Sequence, residues 1–168
     1  YNLISALHKS IRGSDPDAAL YWLARILDGG EDPRFIARRL LRMALEDVGL
    51  ADPQAQSICL HAWQSFERLG SPEGELALAQ AALYLALAPK SNASYKGFAN
   101  SLEMVKKTGS EPPPKHILNA PTELMRDQGY GENYEYDHDS VDGFSGQNYF
   151  PENKVIPLEL TMPVQYQM

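Results

Sequence analysis

The 168-residue chain is 43% hydrophobic and 10% aromatic, a composition that suits one domain with a sizeable core and is globular rather than disordered. Its net charge of −7 is carried at one end: up to Arg126 there are 14 acidic and 14 basic residues, and from Asp127 on there are 8 acidic residues against Lys154 alone. A body without a basic excess lacks the composition of a domain that grips nucleic acid unaided.

The first residue is Tyr1 rather than methionine, and we expect a fragment of a longer protein, with no signal peptide. The first predicted helix places Leu3, Ile4, Leu7 and Ile11 at helical spacing, and Gly13 stands where it can end that helix in the left-handed conformation. Next comes "RGSDPDAALYWLARIL", which crowds Arg12, Ser14, Asp15 and Asp17 ahead of an apolar run. Two registers start a helix there. Ser14 caps with Asp17 at the third helical position, or Asp15 caps with Pro16 at the first, where its missing donor costs nothing. Because Asp32-Pro33, Asp52-Pro53 and Ser71-Pro72 repeat the pattern, with Asn119-Ala120-Pro121 a looser version, it reads as helix punctuation and not as a metal or phosphate site.

The second helix, Pro16 to Asp28, gathers Ala19, Leu20, Leu23, Ile26 and Leu27 on one face with Tyr21 and Trp22 beside it, and Gly29-Gly30 stops it. The third, from Pro33 to near Gly49, turns Ile36, Leu40, Met43 and Ala44 inward. It also carries Arg34, Arg38 and Arg42 on an i, i+4, i+8 ladder with Arg39 alongside, the densest basic stripe in the chain. That stripe is either a contact with phosphate, an acidic partner or another subunit, or a solvated face paired in part with Glu46 and Asp47.

A fourth helix from Pro53 to about Leu69 sets Cys59 among Ala55, Ile58, Ala62 and Phe66, as core. A lone cysteine forms no intramolecular disulfide, which fits a reducing cytosol. The fifth, Pro72 to Ala88, begins with Glu73 and Glu75 and reads "LALAQAALYLALA", apolar almost all round yet short of the ~20 residues that span a bilayer. It is either the central helix or part of a subunit contact, and Tyr21, Trp22, Trp63, Leu83, Tyr84 and Leu87 are the candidate interface residues. A sixth helix from Ser91 spaces Tyr95, Phe98, Ala99, Leu102 and Val105 helically and closes with Lys106, Lys107 and Gly109. Pro112 to Pro114 form an extended connector, followed by a short helix over Pro121 to Gln128.

The expectation is therefore an all-α, compact helical domain of six to seven helices over 1–128 and a loop-rich, acidic extension over 129–168. Helix starts at Pro16, Pro33, Pro53 and Pro72 lie 17, 20 and 19 residues apart, a spacing that also suits a helical-repeat array, though no helix pair aligns on the next. In the extension, "YEYDHD" groups His138 with Asp137 and Asp139, donors suited to a divalent cation, but neighbours in an extended chain point apart. No phosphate-cradling loop, G-x-S-x-G, H-E-x-x-H or C-x-x-C occurs, and His8, His61 and His116 stand isolated. No catalytic, cofactor or metal residue is assigned.

The stretches "LISALHKSIRGSDPDAALYWLARIL", "RRLLRMALEDVGLADPQA", "LGSPEGELALAQAALYLALAPKSN" and "LNAPTELMRDQGYG" with "YEYDHD" resemble, in order, the C-terminal part of the RarA/MgsA family of AAA+ ATPases, over about Tyr1 to Phe150. The family is related to the Werner-helicase-interacting ATPase. The resemblance implies a DNA-dependent ATPase of stalled forks and single-stranded gaps, cytoplasmic and nucleoid-associated, built like a clamp loader. Its ATP, Mg and motor would belong to a region before Tyr1. The present region would be the helical domain through which members form a homotetramer. DNA would be met through the full-length protein, single-strand-binding protein or other replisome proteins are possible partners, and no membrane is involved. "NKVIPLELTMPVQYQM" departs from the short aromatic, basic ending of the family. The rival from another class is a free-standing helical scaffold that binds peptides or proteins in a groove.

Overall fold

Aspartate followed by proline sets three of the helix starts. In the computed structural model, which describes residues 2–151, the order is α1 (Asn2–Arg12), α2 (Pro16–Asp28), α3 (Pro33–Met43), α4 (Gln54–Leu69), α5 (Glu75–Leu87), α6 (Ala93–Thr108) and α7 (Glu123–Asp127). Among the described residues there is no strand, and the domain they form is all-α as its periodicity predicts. Of the described residues, those up to Ala99 form one compact unit and those from Asn100 to Pro151 a second.

Between α1 and α2 it is Asp15 that caps: its carboxylate accepts the Ala18 N–H at 3.0 Å, and Pro16 takes the first helical position. Ser14, not Gly13, adopts the left-handed conformation, with φ 58°. Gly13 still donates helically to the Lys9 carbonyl at 2.8 Å, so the chain reverses one residue later than expected. Asp15 N–H then reaches back to Ser10 and Ser14 N–H to Ile11, closing the helix end. Asp32 caps α3 the same way through the Arg34 N–H at 2.9 Å.

The third helix does not run smoothly to Gly49. It widens into a π-helical turn, Ala44–Val48, and a 3-10 turn, Gly49–Ala51. The wider turn brings Asp47 and Val48 into the interior. Gly49 ends it at φ 52°, and a Cβ there would meet the Ser91 carbonyl oxygen at 3.0 Å, so both conformation and space call for glycine.

The fifth helix starts at Glu75, three residues later than Pro72. Residues 71–74 form a turn that presses Gly74 onto α4, where an added Cβ would lie 2.8 Å from the Phe66 Cα. From there α5 runs as the central helix of the first unit, packed against α1, α2, α3 and α4. It buries Leu78, Ala81, Ala82, Leu85 and Ala86, and its alanines let neighbouring helices approach closely. Its two ends leave Leu76 and Leu87 exposed, at 73% and 71%. Cys59 is core, and burial pushes its thiol up to about 12.

Candidate functional site

The π-helical turn of Ala44–Val48 gathers a charged joint that sequence spacing does not announce. Buried His8 on α1 contacts Asp47, Nε2 to Oδ2, at 2.6 Å. Arg12, one turn on, donates from Nε to Asp47 Oδ1 at 2.6 Å and from its terminal nitrogen to Glu46 at 3.2 Å. Arg39 approaches His8 Nδ1 at 3.4 Å. An ionised carboxylate only accepts, so Nε2 donates to Asp47; the Arg12 terminal nitrogen, 3.0 Å from the same Nε2, is a second donor gathered on that carboxylate and not a partner of the ring. The Asp47 hydrogen bond leads the causes that hold the Arg12 guanidinium above its ordinary value.

His8, Glu46 and Asp47 are close enough to share a cation among the described residues. The Arg12 guanidinium already occupies the space between them, so the group is a salt-bridged joint. Its backbone is tied too: the Ser91 N–H donates to the Asp47 carbonyl at 2.8 Å. Lys90 donates to the Ala86 carbonyl of α5, to the Ala88 carbonyl just beyond it, and to Ser14 Oγ. Burial lowers the Lys90 ammonium from its ordinary value. A cleft of about 540 Å³ opens beside these groups, but Arg12 and Lys90 are offset there by Glu46 and Asp47, which leaves no net charge to select an ion.

The arginine ladder divides among separate partners. Arg34 makes a two-point contact with Glu67, at 2.8 and 3.2 Å, and lies over the Phe66 ring. That bond and one from Trp63 Nε1 pull the Glu67 carboxyl below the usual carboxylate range. Arg42 donates to Glu46 at 2.8 Å and lies over Tyr95. Arg38 lies over Phe35, 5.8 Å from its centroid, and is exposed. Arg39 turns inward to His8, its Nε buried without a hydrogen-bond partner among the described residues.

Of the aromatic and leucine candidates, Trp22, Trp63 and Tyr84 pack partly buried against the core, Leu83 is half-buried, and Tyr21 and Leu87 are exposed. Tyr84 donates its hydroxyl to Asp52, which raises the phenol above its ordinary value. The larger apolar surface lies elsewhere. On α6, Tyr95, Phe98, Leu102 and Val105 are 47%, 68%, 48% and 62% exposed, while Ala93 and Gly97 are the helix's buried residues. The stripe was legible as periodicity, but periodicity does not tell a covered face from a bare one.

In the second unit, Asp137 is committed to the chain's own groups. It accepts from the Ser145 hydroxyl and N–H and from the Tyr149 hydroxyl, bonds that depress its pKa in that order of weight with the Ser145 side chain first. The "DHD" run is a 3-10 turn, Asp137–Asp139, stapled across a loop.

A family model described as MgsA AAA+ ATPase C terminal matches residues 13–160. The chain is 58% identical to Replication-associated recombination protein A of Coxiella burnetii over 92% of its own length and 36% of that protein's. The same-named protein of Escherichia coli K12 is 53% identical over 90% of the chain and 34% of its own length. The ATPase WRNIP1 of Dictyostelium discoideum is 45% identical over 97% of the chain and 19% of its own length. The chain thus spans about a third or less of these relatives.

Proposed function

The chain belongs to the MgsA AAA+ ATPase C-terminal family, and on that premise we propose that it is the self-association and docking domain of a DNA-dependent ATPase acting in replication, recombination and repair at stalled forks. The observation that carries this reading is the bare stripe of α6. Tyr95, Phe98, Leu102 and Val105 repeat at intervals of three, four and three residues, the a/d seam by which helices pair side by side. Ser94, Ala99 and Ser101 flank it, small enough for a second helix to come close.

Nucleotide chemistry lies outside this chain, which has no phosphate-cradling loop; ATP and Mg are assigned to the rest of the longer protein. DNA contact in that longer protein is assigned to the open side of α3, where Arg38 carries no ion pair among the described residues. Single-strand-binding protein or another replisome protein would dock on the assembled form.

Size exclusion with light scattering tests the reading. A homotetramer is expected, the number four resting on the family resemblance and not on the stripe. A mass equal to one 18.7 kDa chain across micromolar concentrations overturns it.

A further inference from the structure

Residues 135–149 form a loop closed by its own polar groups, with its apolar side chains left outside. Gln147 accepts from the Glu135 N–H at 3.3 Å and donates back to the Glu135 carbonyl. Ser145 donates twice to Asp137, at 2.9 Å from N–H and 2.7 Å from hydroxyl, and Tyr149 donates to the other Asp137 oxygen at 2.8 Å. Because Asp137 and Ser145 are bonded, their neighbours Tyr136 and Phe144 are brought to the same end of the loop. Phe144 is 74% exposed, Tyr136 55%, and Val141 at the far turn fully so. Between Asp127 and Lys154 the sequence has no lysine or arginine, while Glu135, Asp139 and Asp142 interleave with those apolar residues.

We propose that this loop is a preorganised docking element for a partner protein presenting an apolar pocket bordered by lysine and arginine. Three observations select that occupant. Unrelieved negative charge repels the phosphates of nucleic acid. The exposed Phe144 and Val141 call for apolar cover, whereas isolated acidic residues would need only water. A second copy of this chain offers a poorer complement along its arginine stripe, since Arg12, Arg34 and Arg42 are already engaged by Asp47, Glu67 and Glu46 and Arg38, which carries no ion pair among the described residues, is assigned to DNA in the longer protein. Ordering the loop before contact removes part of the entropy cost that a flexible acidic tail would meet on binding.

The probe is a display library of random dodecapeptides, selected on the full 168-residue chain. Selected peptides are expected to place lysine or arginine around leucine, phenylalanine or tryptophan, and a labelled representative should bind measurably by fluorescence anisotropy. Two double variants separate the contributions: Val141→Ser with Phe144→Ser keeps the charge, and Asp139→Asn with Asp142→Asn keeps the apolar groups. Each should weaken the peptide about tenfold, a loss of about 1.4 kcal/mol, with the helical circular dichroism unchanged. A library that enriches no basic-apolar peptide overturns the proposal. So does a serine pair that binds like the parent, which would reduce the contact to charge alone, or an asparagine pair that does so, which would reduce it to unspecific apolar adhesion.

Discussion

Asp47 shows how much depends on one carboxylate. Its two oxygens serve Arg12 and His8, its carbonyl serves Ser91, and it is 5% exposed. Replacing it with asparagine leaves donors facing donors, because the new amide must turn an N–H₂ toward either guanidinium or imidazole. Breaking a buried pair from one side costs ~3–5 kcal/mol; Arg12, half-exposed, can rotate into water, so the expected loss lies at the low end. We expect Asp47→Asn to lower the urea midpoint by an amount equivalent to about 3 kcal/mol at unchanged m-value. Arg38→Gln, on an exposed side chain, should stay within about 0.5 kcal/mol. An Asp47→Asn protein that unfolds at the parent midpoint would show the joint to be ornamental.

At the scale of elements, what was legible in the sequence is what neighbouring residues decide. The Asp15-Pro16 and Asp32-Pro33 starts, the stops at Gly29-Gly30 and Gly109 and the inward faces of α2 and α3 follow from periods and caps a few residues long, whereas the stop expected at Gly13 falls on Ser14. What was not legible is set by groups far along the chain. His8 and Asp47 are 39 positions apart and Arg34 and Glu67 33, so the basic ladder was visible while its partition among acids was not. The π-helical turn and the late start of α5 have the same origin, each being a local conformation imposed by a packed neighbour. Gly74 makes this testable. Its φ of −68° suits any residue, so Gly74→Ala carries no conformational penalty of its own, yet the Cβ would lie 2.8 Å from both the Phe66 Cα and the Gly70 carbonyl oxygen. Backbone has to move, at a cost of typically ~1–3 kcal/mol. Thermal denaturation should show a lower midpoint for Gly74→Ala, and an equal or higher one would mean that the α4–α5 turn is looser than the contact implies.

For the whole molecule the question is which apolar surface drives association, and magnitudes separate the candidates. Fully burying a leucine or phenylalanine contributes ~1.5–3 kcal/mol, and association must offset an estimated ~4–15 kcal/mol of lost freedom. Leu87, exposed at one end of α5, and Tyr21 on α2 stand on different helices. A symmetric contact through Leu87 alone recovers roughly 2–4 kcal/mol from two copies, too little to hold subunits together at micromolar concentration. The α6 stripe supplies four side chains per copy, each about half to two-thirds exposed, and so roughly 7–13 kcal/mol across a pair of helices. It is contiguous, and closed symmetry lets one seam serve both partners. Phe98→Ser combined with Leu102→Ser should therefore drop the light-scattering mass from four chains to two or one, each of 18.7 kDa, with helical content intact. Tyr21→Ser combined with Leu87→Ser should leave the assembly as it was. The reverse pattern, an α6 variant that stays assembled beside a Tyr21/Leu87 variant that falls apart, would move the subunit contact to α2 and α5 and leave the bare face of α6 for another partner.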